Sequence, residues 1–296
     1  MSQRDRFTCG PAWGGRIISR VNPQIAILGA GTIGRILAKG LLRAGWVPAD
    51  LVMADRVSEA VVAAREATGV SALLDPVAAV AGRDVIVVAV KPDDVSRLLG
   101  QIAGSVTTDQ VVISLAAGVP IAVFEEALER VPVVRCMPNT AAAVGEAMTA
   151  FSGGAFTDDG ALATTSNILS AIGKTIHVGE DLLDAVTAVS GSGPAYVFLL
   201  AEALIEAATR EGLPADAADQ LVRQTMLGSS LLLSKSEKSV AALRSDVTSP
   251  GGTTAAALQV FDEGGLRDIV TSAVRAAAQR SRELGRAAAS AVPEVE

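Results

Sequence analysis

Histidine and cysteine are almost missing from this chain. Among 296 residues there is one histidine, His177, and two cysteines, Cys9 and Cys136, which form no CxxC pair. A histidine-cluster metal centre is excluded, a disulfide scaffold is excluded in practice, and a cysteine-based metal site has no spacing to support it. With no histidine beside it in sequence, Cys136 reads as a small buried apolar residue rather than an activated nucleophile. His177 reads as a structural residue on a strand. Aromatic residues make up 3%, so the core must be built from Ala, Val, Leu and Ile. Basic residues are outnumbered, 25 Lys+Arg against 32 Asp+Glu, for a net charge of −7. That balance argues against a nucleic-acid binder and against attraction to an anionic membrane. No uninterrupted apolar run reaches the roughly 20 residues of a membrane span. Residues 1–22 carry Arg4, Arg6, Arg16 and Arg20 without an apolar core, so they are not a secretory signal and are expected to form a disordered tail. The expected compartment is the cytoplasm.

Half of the residues are hydrophobic, and a chain of this length is expected to form two domains. The first, expected over 23–180, alternates strands and helices. Ile25-Ala26-Ile27-Leu28 reads as a buried strand and runs directly into Gly29-Ala30-Gly31-Thr32-Ile33-Gly34. Apolar residues then recur at helical spacing. This is GxGxxG between a strand and a helix, the context in which it signals dinucleotide binding. Gly29 makes the tight turn, Gly31 admits the pyrophosphate, and Gly34 packs helix on strand. A second strand, Leu51–Ala54, closes on Asp55 and Arg56. An acid there suits the ribose hydroxyl of NAD, and an arginine suits the 2′-phosphate of NADP; both are present, so the choice stays open. Val85–Val90 is a near-continuous apolar run of the parallel-sheet kind, ending in Lys91-Pro92. Further strands at 110–115 and 131–136 lead to Ala116-Ala117-Gly118 and to Met137-Pro138-Asn139-Thr140. Residues 146–151 can add an edge strand, followed by a helix over 158–172 and a strand over 174–178.

From about residue 180 only helices are expected, and 181–296 reads as a second domain. Ser190-Gly191-Ser192-Gly193-Pro194 reads as a flexible turn entering a helix over 195–210. That helix is apolar nearly all round, which in so small a domain points to a partner subunit. Helices over 215–233 and 265–284 follow, and between them stands Thr248-Ser249-Pro250-Gly251-Gly252-Thr253-Thr254, a turn running into a helix. Read locally it is either an ordinary helix start or a seat for an anion: glycines open the backbone, and the free N–H groups of the first turn face a ligand.

Five ordered motifs, GAGTIG at 29–34, AVKP at 89–92, RCMPNT at 135–140, SGSGPAY at 190–196 and TSPGGTT at 248–254, together resemble pyrroline-5-carboxylate reductases. The similarity runs from about Ile25 to Leu284. It implies an α/β fold with an N-terminal Rossmann dinucleotide-binding domain, then an all-helical C-terminal dimerisation domain. The implied reaction is hydride transfer from NADPH, or NADH, to the C=N carbon of 1-pyrroline-5-carboxylate, giving L-proline. The implied assembly is a homodimer or a ring of dimers, with an active site that includes the partner's helices. By the same resemblance Gly29 to Gly34 and Ala89, Val90, Lys91 and Pro92 bind the cofactor, with Ala117 and Asn139 nearby. Ser249, Gly252 and Thr253 cradle the substrate carboxylate, and the Thr254 hydroxyl faces the ring nitrogen. Ser245-Asp246, before Val247, departs from the usual pattern of the family.

Reducing a cyclic imine requires a hydride donor, an anchored carboxylate and a proton for nitrogen, and no histidine or metal. Two other classes compete. A β-hydroxyacid-type dehydrogenase requires a catalytic lysine, and after Lys174 the chain offers only Lys235 and Lys238 in a polar stretch. A non-catalytic dinucleotide-binding regulator leaves the TSPGGTT turn without a purpose.

Overall fold

The computed structural model describes residues 22–290, with side chains to Arg286. The expected tail therefore lies, but for Asn22, outside the described residues, as does Cys9. Eight strands form one sheet in the order β3-β2-β1-β4-β5-β6-β7-β8. They are β1 (Ile25–Leu28), β2 (Leu51–Ala54), β3 (Ser71–Leu73), β4 (Val85–Val88), β5 (Val111–Ser114), β6 (Val133–Met137), β7 (Ala147–Gly153) and β8 (Gly173–His177). Every pairing is parallel except β6 with β7. The helices between them are α1 (Thr32–Arg43), α2 (Ser58–Thr68), α3 (Pro76–Val80), α4 (Val95–Ile102), α5 (Ile121–Leu128) and α6 (Asp159–Ser170).

The alternation of β1 shows why the sheet is covered twice. Ile25 and Ile27 join Leu37 and Leu41 of α1 on one face, while Ala26 and Leu28 join Leu98 and Ile102 of α4 on the other. Side chains two apart share a face, so a strand apolar at every position needs a layer on each side. Local chemistry sets several helix starts. The Asp75 carboxylate accepts the Val77 N–H at 2.9 Å, and Asp158 accepts the Ala161 N–H at 2.8 Å.

Beyond β8 the chain is helical: α7 (Leu183–Val186), a π-helical turn (Thr187–Gly191), α8 (Gly193–Arg210), α9 (Ala215–Lys235), α10 (Val240–Asp246), α11 (Thr253–Glu263) and α12 (Leu266–Ser290). Two expectations are corrected, and one strand is additional to those expected. Residues 147–153 are not an edge, because β8 pairs outside them in parallel. The opposite edge, β3, is a three-residue strand too short to show a pattern. SGSGPAY is not a flexible turn: its first half closes the π-helical turn, where the Ser192 N–H donates to Thr187 O at 2.8 Å, and Pro194 sits in the first turn of α8. As a result residues 180–210 run as one helical stretch, long and apolar enough by composition to cross a bilayer, which the sequence reading missed by counting only uninterrupted apolar runs. Among the described residues of α8 none is buried, and Phe198 and Leu199 are 66% and 65% exposed in the isolated subunit.

Candidate active site

The crevice at the carboxyl ends of the strands holds a cavity of about 290 Å³. Its floor is the turn after β1. Gly29 has φ +113°, and a Cβ there would meet the Ala89 carbonyl oxygen at 2.5 Å, so the residue must be glycine. At Gly34 a Cβ would collide with the Gly29 carbonyl oxygen, which is how α1 lies so close to β1. At Gly31 a Cβ would meet nothing within 4 Å; it would point into open space at the start of α1. Gly31 caps α1 with no side-chain hydrogen bond, so the first-turn N–H groups of Thr32, Ile33 and Gly34 are available to an anion. Ala89, Val90 and Lys91 line the same cavity, and Pro92 begins the short turn that follows them. Open space before an uncapped helix, at the point where the strand order reverses, fits the pyrophosphate of a dinucleotide.

Asp55 and Arg56 line this cavity too, but Asp55 is engaged. Its Oδ2 accepts the Ala30 N–H at 2.8 Å and its Oδ1 accepts the Val57 N–H at 3.0 Å. It ties the end of β2 to the glycine turn. Arg56 reaches Asp94 at 3.5 Å. The sequence reading missed the far wall, which includes Leu74, Asp94, Arg97 and Leu98. Their only trace in sequence is position, since β3 is too short to show a pattern and Asp94 stands two residues after Lys91-Pro92.

Ala117 and Asn139 lie elsewhere along the crevice. Ala117 lines a second cavity of about 310 Å³, shared with Thr187 and Ser192 of the helical half and Ser281 of α12. Asn139 Nδ2 donates to Ser190 O at 3.2 Å; a carbonyl can only accept, so this bond orients the amide. Asn139 Oδ1 is then buried without a partner in the isolated subunit. The two halves are joined again at Glu180, whose Oε1 accepts the Ile121 N–H at 2.8 Å and Arg135 Nη1 at 3.0 Å. The Cys136 thiol is buried on β6, and burial pushes its pKa far above the ordinary thiol range, so it is no nucleophile. His177 is on the surface of β8, its ring 5.4 Å from that of Phe151.

The TSPGGTT turn is not part of this crevice within one subunit. It precedes α11, which packs chiefly on α12, and none of its residues lines the dinucleotide cavity. Gly251 takes φ +70°. The Gly252 N–H donates to Ser249 O at 3.0 Å, and a Cβ on Gly252 would collide with Ser249 Oγ. Gly252 caps α11 without a side-chain hydrogen bond. Among the described residues neither the exposed Thr253 hydroxyl nor the half-buried Thr254 hydroxyl has a hydrogen-bond partner. An uncapped helix start beside two unpartnered hydroxyls leaves backbone N–H donors and hydroxyl groups open to a polar ligand.

Residues 24–118 match a family described as NADP oxidoreductase, coenzyme F420-dependent, and residues 180–284 match one described as pyrroline-5-carboxylate reductase dimerisation. The chain is 43% identical to the pyrroline-5-carboxylate reductase of Mycobacterium tuberculosis, over 88% of this chain and 96% of that protein. The chain belongs to the pyrroline-5-carboxylate reductase family. Among solved structures, the pyrroline-5-carboxylate reductase of Coxiella burnetii aligns with a TM-score of 0.85 at 36% identity, covering 89% of this chain and 98% of that one. The Plasmodium falciparum enzyme, solved with NADP bound, aligns at 0.79 and 29% identity, over 89% and 98%. A pyrroline-5-carboxylate reductase whose dimerisation region spans 180–284 has an occupant for the bare face of α8: a second subunit.

Proposed function

We infer that this chain reduces 1-pyrroline-5-carboxylate to L-proline as a homo-oligomer, with the TSPGGTT turn of one subunit completing the crevice of another. The uncapped start of α11 with its unpartnered hydroxyls carries this reading. NADPH supplies the hydride, with NADH as a second donor. The chain's own residues bind and orient. The first turn of α1 faces the pyrophosphate, and Ala89 to Pro92 border the cofactor where the strands end. Ser249, Gly252 and Thr253 hold the substrate carboxylate against the first-turn N–H groups of α11. The Thr254 hydroxyl hydrogen-bonds the ring nitrogen, which gains the proton as the neighbouring carbon gains the hydride. A threonine does not ionise at neutral pH, so its part is orientation or relay of a proton from water. Aligning two small reactants face to face accounts for much of the acceleration.

Lys235 ends α9, and Lys238 pairs with Asp246 at 2.7 Å on the surface. Neither lines the crevice cavities, which disfavours a lysine-dependent hydroxyacid dehydrogenase. We place the domain boundary at about residue 180, the minimal assembly as a dimer with rings of dimers built on it, and the reaction in the cytoplasm. The deciding experiment follows NADPH oxidation on adding 1-pyrroline-5-carboxylate, with a 2-hydroxy acid and NADP⁺ as the control. Turnover with the hydroxy acid, or with neither substrate, overturns the reading.

A further inference from the structure

One wall of the dinucleotide cavity carries an arrangement that the proposed reaction leaves unassigned. Arg97 Nη2 and Arg56 Nη2 approach the same oxygen, Asp94 Oδ1, at 3.1 and 3.5 Å. The two arginines come from different segments, Arg56 from the loop after β2 and Arg97 from the first turn of α4. Asp94 is the seated member, 22% exposed, while the Arg56 and Arg97 side chains are 63% and 45% exposed. All three line the cavity, on the side where β2 ends.

We propose that Arg97, acting with Arg56, receives the 2′-phosphate of NADPH, and that Asp94 holds the two guanidiniums in place for it. The inference rests on NADPH use. In a doubly wound sheet the adenosine ribose lies at the carboxyl end of the second strand. An acid there serves a cofactor that lacks the phosphate by accepting from the ribose hydroxyls. Here that acid, Asp55, already has a backbone N–H on each oxygen, so it clamps the loop. Its charge remains and opposes a phosphate dianion, so cations must outweigh it. Arg56 alone would balance only Asp55. Asp94 adds a second negative charge, and Arg97 with Lys91, which also lines the cavity, restores a net positive field. Each guanidinium has five N–H donors in a fixed fork, and sharing one carboxylate oxygen leaves most of them available. A phosphate with three terminal oxygens can engage both forks. Tethering by Asp94 reduces the side-chain freedom lost when the phosphate binds.

Calorimetry with 2′,5′-ADP and 5′-AMP tests this on the full-length protein, since the two ligands differ only in the 2′-phosphate. The wild type is expected to bind 2′,5′-ADP more tightly. Arg97→Gln should weaken 2′,5′-ADP by roughly tenfold, the loss of one charged hydrogen-bonding partner, and shift 5′-AMP by less than about twofold. Arg97→Lys keeps the charge without the fork and should lose an intermediate amount; it is the fallback if Arg97→Gln fails to fold. Unchanged 2′,5′-ADP affinity in these variants overturns the proposal, as does an equal loss for both ligands. Neither ligand carries a nicotinamide or meets the imine substrate. Failure here therefore leaves the reductase reading intact, and failure of the turnover assay leaves this measurement unaffected.

Discussion

The two halves of this chain are similarly rich in apolar residues and use them in opposite ways. In β1, β2, β4 and β5 every residue is buried within one subunit. In α8, where apolar residues surround the helix, none is. A surface helix of a monomer would carry a polar outer face, because large contiguous apolar patches are rare on proteins that act alone. The sheet domain has closed its core, and the helical domain presents half of one. The lesson is that apolar content does not report where a core is complete. Only comparison with burial separates a finished interior from an interface.

The sharpest way to break this comparison is to put a charge on the open face. Leu199→Glu should dissociate the oligomer at micromolar concentration and lower turnover by roughly a thousandfold, since burying an unpaired carboxylate in an apolar contact costs several kcal/mol. The sheet domain should still bind nucleotide. Light scattering and calorimetry on the same sample check both, and an active monomer would refute the shared site. Thr254→Ala probes the same dependence chemically. Its kcat should fall roughly ten- to a thousandfold, about 1.4–4 kcal/mol of barrier, with folding and assembly unchanged. Thr254→Ser should keep most activity and Thr254→Val should resemble Ala. If instead the hydroxyl only supports the helix start, the melting temperature drops and single-turnover hydride transfer does not.

Within the finished domain the expected effects concern packing. Gly34→Ala drives a methyl into the Gly29 carbonyl and should cost about 1–3 kcal/mol of stability, weakening nucleotide binding at the same time. Denaturant unfolding with and without NADPH measures both. The smallest effect is at Cys136, whose thiol burial holds protonated. It should resist alkylation in the folded protein, and Cys136→Ala should leave turnover unchanged at a stability cost of about 1 kcal/mol. Labelling of native Cys136, detected by mass spectrometry, would show that β6 opens.

Much of the site was legible residue by residue. GAGTIG between a strand and a helix predicts the nucleotide turn, and the structure adds the contacts that make Gly29 and Gly34 obligatory. The TSPGGTT turn predicts an open helix start, and α11 has one. Asp55 was only half readable. Its position suggested a ribose ligand, but the backbone groups that occupy it come from the glycine turn 25 residues away and from Val57. The Asp94–Arg97 wall was not readable, because it becomes a wall only when β2 and α4 are brought side by side. SGSGPAY misled for a related reason. Glycine and proline mark a turn in isolation, yet here they close a π-helical turn held from outside by Asn139 and from within by the Tyr196 hydroxyl on Ala188 O.

By itself the sequence determined the alternation of strands and helices, the glycine turn and the change to helices near residue 180, because period and local backbone chemistry act over a few residues. The tertiary structure decided what those elements face. It tied the Asp55 carboxylate to backbone, brought Arg56 and Arg97 to the same oxygen of Asp94, kept TSPGGTT away from the nucleotide cavity of its own subunit, and left α8 bare. Each of these depends on contacts between segments distant in sequence, and no local pattern encodes which distant group will arrive.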